Sequence, residues 1–246
     1  MNCCHRQENF PPRRRNIIAN KEEMTGMKLV GIGGSPRKEK SRTARLVQEV
    51  LAAAQDRGAQ VEFLDISRLK INPCLACDRC HHLGYCVQKD DFNGVFEKMT
   101  AADGIVLGSP VYIYQVSAQL KMFLDRFANP IHCQRLLGKY GAAVATAGGS
   151  GHAETVDYLE QFLQRTGVQC VGKLSCTLED GPVDGEPVLQ ARDLGSRLVE
   201  AITENREFPD QLREIESRRA YFREVMIRRR ERWPWEYRYW QEKGWL

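Results

Sequence analysis

Short apolar runs alternate with amphipathic stretches from residue 27 to about residue 205. Lys28 to Ile32, Val61 to Asp65, Gly104 to Gly108, Tyr140 to Thr146 and Gln169 to Cys176 are mostly apolar or small. That is the composition of strands buried on both faces of a parallel sheet. Between them, Ala44, Val47, Leu51 and Ala54 recur at helical spacing in Thr43 to Arg57, and the same reasoning predicts helices over Ala118 to Asn129, His152 to Thr166 and Val188 to Asn205. Gly58 stands where the first of these should end. Five strands alternating with helices predict an α/β fold with a doubly wound parallel sheet of order 2-1-3-4-5. Ligands of such sheets lie beyond the carboxyl ends of the strands, which directs attention to the loops after strands one, three and four.

The flanks read differently. Residues 1–26 mix Pro, Arg, Asn and Glu without an apolar period and are expected to be a disordered leader, with Cys3 and Cys4 as free thiols on it. Residues 206–246 form a helical and aromatic extension. Leu212, Ile215, Phe222 and Met226 keep a helical spacing from Pro209 onward, and Trp233, Trp235, Trp240 and Trp245 crowd the last residues. So much aromatic surface is expected to be buried against the same or a neighbouring subunit, making the extension an assembly element.

Charge adds one restriction. The net charge is +4 over 246 residues, but the basic excess lies in the two flanks, leaving the middle close to neutral. That argues against nucleic acid as the domain's partner, and Glu231, Glu236 and Glu242 interrupt the basic tail. No stretch approaches the roughly 20 apolar residues of a membrane span. Nine cysteines without a secretory signal point to a reducing, cytoplasmic setting.

The first loop contains Gly33, Gly34, Ser35, Pro36, Arg37, Ser41 and Thr43 and runs into a helix. Small residues, hydroxyls and a helix N-terminus together make a phosphate pocket. The Lys of a P-loop and the spacing of a dinucleotide fingerprint are both missing, so a monophosphate fits better than ATP or NAD. In the second loop, Ser109 to Tyr114, proline fixes the backbone and an aromatic ring at the mouth could cover one face of a flavin, with Tyr112 alternatively a plain packing residue. The third loop, Thr146, Ala147, Gly148, Gly149, Ser150 and Gly151, offers backbone donors to a flavin's pyrimidine edge.

Between strands two and three, Cys74, Cys77, Cys80 and Cys86 follow the pattern C-x2-C-x2-C-x5-C. Three thiolates spaced by three and a fourth shortly after suit an iron–sulfur cubane. A zinc site, usually two well-separated C-x2-C pairs, is the rival. His81 and His82 are read as solvated loop residues, and Cys133, Cys170 and Cys176 as packing thiols.

Taken together, the Gly-Ser-Pro-Arg loop with Thr43, the cysteine loop followed by Lys89, Asp90, Asp91 and Phe92, and Ser109-Pro110-Val111-Tyr112 with Ser117-Ala118-Gln119-Leu120-Lys121 resemble the iron–sulfur flavoprotein family. That family belongs to the NADPH-dependent FMN reductase branch of the flavodoxin-like superfamily. The resemblance implies a homo-oligomer, dimer or tetramer, carrying FMN and a [4Fe–4S] cluster and receiving electrons from a ferredoxin-like donor. It places Ser35, Arg37, Ser41 and Thr43 on the phosphate and ribityl chain, Pro110 to Ile113 beside the flavin, and Thr146 to Gly149 at its ring edge. Arg42 stands where the family often has Asn. The alternative is an NAD(P)H-dependent FMN or quinone reductase without a functional cluster.

Overall fold

The computed structural model describes residues 26–178, 181 and 183–246; the expectations for residues 1–25, Cys3 and Cys4 included, fall outside them. Five parallel strands form the sheet: β1 (Lys28–Gly33), β2 (Gln60–Asp65), β3 (Gly104–Tyr112), β5 (Tyr140–Ala147) and β6 (Gln169–Thr177). Their order is β2-β1-β3-β5-β6, with the two-residue β4 (Gln115–Val116) beside β3. Counting the parallel strands alone, this is the predicted 2-1-3-4-5.

Helices α1 (Arg42–Asp56) and α7 (Glu186–Glu204) cover one face. Their inward residues, Leu46, Val47, Val50, Leu194 and Leu198, meet Leu29, Val106 and Val144 of the sheet. The other face carries α3 (Phe92–Ala101), α4 (Ala118–Leu124), α5 (Ala128–His132) and α6 (His152–Arg165). An edge-to-face cluster of Phe92, Phe96, Phe123, Phe127 and Phe162 fills this side, a geometry that aromatic quadrupoles favour. Short α2 (Arg79–Leu83) rides the cysteine loop, and α8 (Pro209–Arg229) and α9 (Pro234–Glu242) form the extension.

Two predicted elements differ from the structure, and one helix was missed. β3 does not end at Gly108 but runs to Tyr112, turns through Ile113 and Tyr114 at φ +46° and +61°, and returns as β4. Pro110, Val111 and Tyr112 are therefore strand rather than loop, and only Ile113 and Tyr114 form the turn. Two left-handed residues in succession match the twist of a tight hairpin, although neither is the glycine or asparagine that usually signals one. The single helix predicted over Ala118 to Asn129 is two, because Pro130 has no N–H and its ring would strike the carbonyl of Arg126 in a continuous helix. Helix α3 was not predicted; it buries Phe92, Val95, Phe96 and Met99 at i, i+3, i+4 and i+7, but Gly94 dilutes the signal.

The extension packs on its own chain. Gln211 exchanges hydrogen bonds with the Cys170 backbone at 2.7 and 2.8 Å, and Gln134 Nε2 donates to the Ile215 carbonyl at 2.7 Å. Trp240 and Met226 are fully buried around Cys133. Cys133 and Cys170 are buried thiols, as expected, while Cys176 is half-buried.

Candidate functional site

All five parallel strands end at one edge, and there the three glycine-rich or aromatic loops come together. Ser41 caps α1, its Oγ accepting the Ala44 N–H at 3.0 Å. Thr43, in the first turn, places its Oγ1 2.6 Å from the Oγ1 of Thr146 at the end of β5, both side chains buried. A hydroxyl pair bonded to each other uses one proton and leaves the second free to donate to a ligand oxygen. The open N–H groups at the start of α1 add partial positive charge beside it.

The other joins are equally direct. Ser117 Oγ donates to the Gly34 carbonyl, Gly34 N–H donates to the Gly108 carbonyl at 2.9 Å, and Ser109 Oγ accepts the Ser117 N–H at 3.0 Å. Gly151, at φ +88°, lies against Val111 and Tyr114; a side chain there would meet both. Gly148 and Gly149 are exposed and face open space, leaving room for a flat ligand edge. Ser35 is buried, its Oγ accepting the Arg37 N–H at 3.3 Å, while Pro36 and the Arg37 side chain are exposed. Pro110 and Val111 are half-buried, Ala147 is buried, and Tyr112, Ile113 and Tyr114 stand out at the mouth. These buried hydroxyls, helix start and open glycine edge fit a flavin mononucleotide.

The cysteine loop leaves the same edge, after β2. Both of its ends are pinned. Asp90 Oδ2 accepts the backbone N–H of Asn72 at 2.9 Å and its side-chain amide at 3.1 Å, Asp91 accepts the Lys70 N–H at 2.7 Å, and Asn93 pairs with the backbone of Cys86. Cys74 and Cys77 are exposed, Cys80 and Cys86 half-buried. Among the described residues, the ligand atoms that converge as around a metal ion are those of His81, His132 and Glu236, and the four cysteines do not form such a group. Four thiols on one loop are nonetheless the donor set that a multi-iron cluster takes.

The surroundings of the sulfurs fit such a group. Cys74 Sγ accepts the Ala76 N–H at 3.4 Å, and Cys86 Sγ accepts from Arg126 Nη2 at 3.1 Å. Burial, reinforced by Glu236 and by the neighbouring Cys86 and Cys74, pushes the Cys80 thiol up to about 11. A thiolate at that position therefore needs a bound cation to hold it. Ala76 and Asp78 both adopt left-handed backbone, φ +49° and +57°, a strained conformation of the kind that collects at ligand sites.

Sequence reasoning missed what clamps this loop from outside. His81, expected to be solvated, is buried, and its Nδ1 lies 2.7 Å from Glu236 Oε1; His82 is exposed as expected. Glu236 is fully buried at the start of α9, its second oxygen 3.1 Å from His132 Nδ1, with Asn129 donating to Oε1 at 3.0 Å. Burial pushes this carboxyl up, but the hydrogen bonds and fields of His132 and His81 outweigh it and hold the group below the ordinary glutamate range. The Trp235 ring covers Gly84, where a Cβ would come within 2.1 Å of it. Arg232 also reaches Asp78 at 2.6 Å. A glutamate among tryptophans and tyrosines was the available signal, because so apolar a setting demands a partner for any carboxylate.

The NADPH-dependent FMN reductase family matches residues 27–181 of this chain. An iron–sulfur flavoprotein of Archaeoglobus fulgidus is 37% identical over 177 residues, covering 71% of this chain and 80% of that protein. One from Methanocaldococcus jannaschii is 36% identical over 190 residues, covering 72% and 97%. Among solved structures, a flavone reductase aligns with a TM-score of 0.61 at 21% identity, over 72% of this chain and 64% of its own. A WrbA-like flavodoxin from Agrobacterium tumefaciens gives 0.52 at 18% identity, over 73% and 99%; these two speak to the fold. With the flavodoxin-like sheet, the three converging loops and this degree of identity, the chain belongs to the iron–sulfur flavoprotein family, oxidoreductases of the NADPH-dependent FMN reductase branch.

Proposed function

We propose that the protein is an FMN-dependent redox protein that passes electrons between a [4Fe–4S] cluster and FMN, with a ferredoxin-like protein as donor. The observation carrying this reading is that the cysteine loop leaves the same sheet edge at which Thr43 and Thr146 join two of the flavin loops at 2.6 Å. When bound, the cluster supplies one-electron transfer and the flavin links one-electron to two-electron chemistry.

The chain's own part is to bind and position. Ser35, Pro36, Arg37, Ser41 and Thr43 would take the phosphate and ribityl oxygens, and Pro110, Val111, Tyr112 and Ile113 would flank the ring. Thr146, Ala147, Gly148 and Gly149 would meet its edge, while Cys74, Cys77, Cys80 and Cys86 would ligate the cluster. Exclusion of water falls to Tyr112, Ile113 and Tyr114, whose exposure in the single chain supports a homo-oligomer that covers them. We place the protein in the cytoplasm; no described helix is long and apolar enough to cross a membrane.

Anaerobic purification with iron, sulfide and flavin analysis tests the reading. Wild type should carry one FMN and about four irons per chain, and Cys77→Ser should lose the iron while keeping the flavin. A yellow but iron-poor wild type would favour the NAD(P)H-dependent FMN or quinone reductase instead, and a colourless one would overturn both. Thr43→Val removes one hydroxyl at nearly constant volume. It should weaken FMN binding about tenfold, roughly 1.4 kcal/mol, as measured by fluorescence titration of the apoprotein; unchanged affinity would remove Thr43 from the phosphate site.

A further inference from the structure

Arg126 is the one charged residue in the apolar run Phe123, Leu124, Phe127 that is driven inside; its side chain is 1% exposed. It is held from several directions. Nη1 pairs with Asp90 at 2.5 Å, and the Asp90 side chain is itself fully buried. The same nitrogen donates to the Asn72 carbonyl at 3.3 Å, and the guanidinium lies 4.3 Å from the centre of the Phe92 ring. Nη2 donates to Cys86 Sγ at 3.1 Å, while Nε is buried without a hydrogen-bond partner among the described residues.

An ion pair that only stapled the loop would need neither a donor on a thiol nor an orphaned N–H beside it. A buried donor with no partner costs about 1–3 kcal/mol, a penalty removed if a group outside the chain supplies the acceptor. We propose that Arg126 is a tuning residue of the cluster, donating from Nη2 to the Cys86 sulfur and holding its unpartnered Nε as a further donor for the bound group, with Asp90 as the positioning residue that aims it. This rests on the cluster assignment of the preceding section and adds a role to it. Added electrons place negative charge on the sulfurs, and fixed N–H donors with a positive charge stabilise that state, so the arginine raises the cluster's reduction potential. Asp90, four residues after the last cysteine of the loop and part of the family resemblance, thereby acquires a physical task.

The test is an anaerobic redox titration of the loaded protein, reading cluster and flavin in the same sample. Arg126→Lys keeps a cation opposite Asp90 but loses the fork that reaches sulfur. It should retain the iron and shift the cluster's reduction equilibrium about tenfold toward the oxidised form, ~59 mV for one electron, while the flavin potential stays within a small fraction of that. Should Arg126→Lys fail to fold or load, the charge-neutral Asp90→Asn/Arg126→Met pair is read the same way. A loaded variant with an unmoved cluster potential, or with cluster and flavin shifted equally, overturns the proposal; so does failure of both variants to load, which would make the pair purely structural. An iron-free wild type overturns the cluster assignment and this inference together, whereas an iron-loaded wild type with unmoved variants overturns this inference alone.

Discussion

Glu236→Ala should destabilise the protein by about 3–5 kcal/mol, the usual cost of deleting one side of a buried ionic network. The fully buried carboxylate accepts from Asn129 and pairs with His81 and His132, so its removal leaves three polar groups facing an apolar cavity among Trp233, Trp240 and Met226. Because His81 belongs to the cysteine loop and Glu236 to the extension, the damage should spread to both. Urea unfolding gives the number, and a loss under 1 kcal/mol would show that the aromatic packing alone holds the extension. The pH dependence has a defined sign. Since the folded carboxyl is held below its unfolded value of about 4.3, its contribution is complete above that pH and disappears as pH falls through the lower folded value. Glu236→Gln should therefore flatten the acid limb of a stability profile below about pH 4.3, leaving the Asp90 contribution, which has the same sign.

Gly195→Ala should also destabilise, by about 1–3 kcal/mol, against the expectation from helix propensity. Alanine inside an exposed helix is favoured over glycine by about 1 kcal/mol, but a Cβ at position 195 would come 2.1 Å from the Val50 carbonyl oxygen. That oxygen belongs to the backbone of α1, so no side-chain rotation can relieve the contact and α1 must move away from α7. The consequence reaches the ligand site, because the N-terminal turn of α1 carries Ser41 and Thr43. A thermal melt should show the loss, and a crystal structure of the variant should show α1 displaced. An unchanged or raised melting temperature would mean that the two helices separate at little cost.

Much of this architecture could be read directly from residue patterns, for reasons visible in particular elements. β1, β5 and the start of β3 are buried on both faces, so their apolar runs are unbroken, and α1 and α6 each present one clear apolar side. The glycine-rich loops could be placed because a strand running into glycines at a sheet edge has few structural outcomes. The extent of β3 was hidden because Pro110 suggests a loop, whereas here it lies near the strand's end, where the sheet tolerates it. Arg126, His81 and Glu236 were hidden for a different reason. Arg126 and Asp90 are 36 positions apart, His81 and Glu236 155, and Asn129 and Glu236 107, and only folding brings such groups together. Local spacing reveals ligands that share a loop, but not the carboxylates that hold the loop from other elements.

The two pinned ends of the cysteine loop bear on how a cofactor would be captured. Asp90, Asp91 and Asn93 close the span from Lys70 to Asn93 with bonds made wholly by the protein, so the ring-closure entropy is charged to folding rather than to metal uptake. Iron and sulfide would then meet a loop already closed at both ends, and the affinity of the four sulfurs would reflect coordination chemistry more than the ordering of a slack tether.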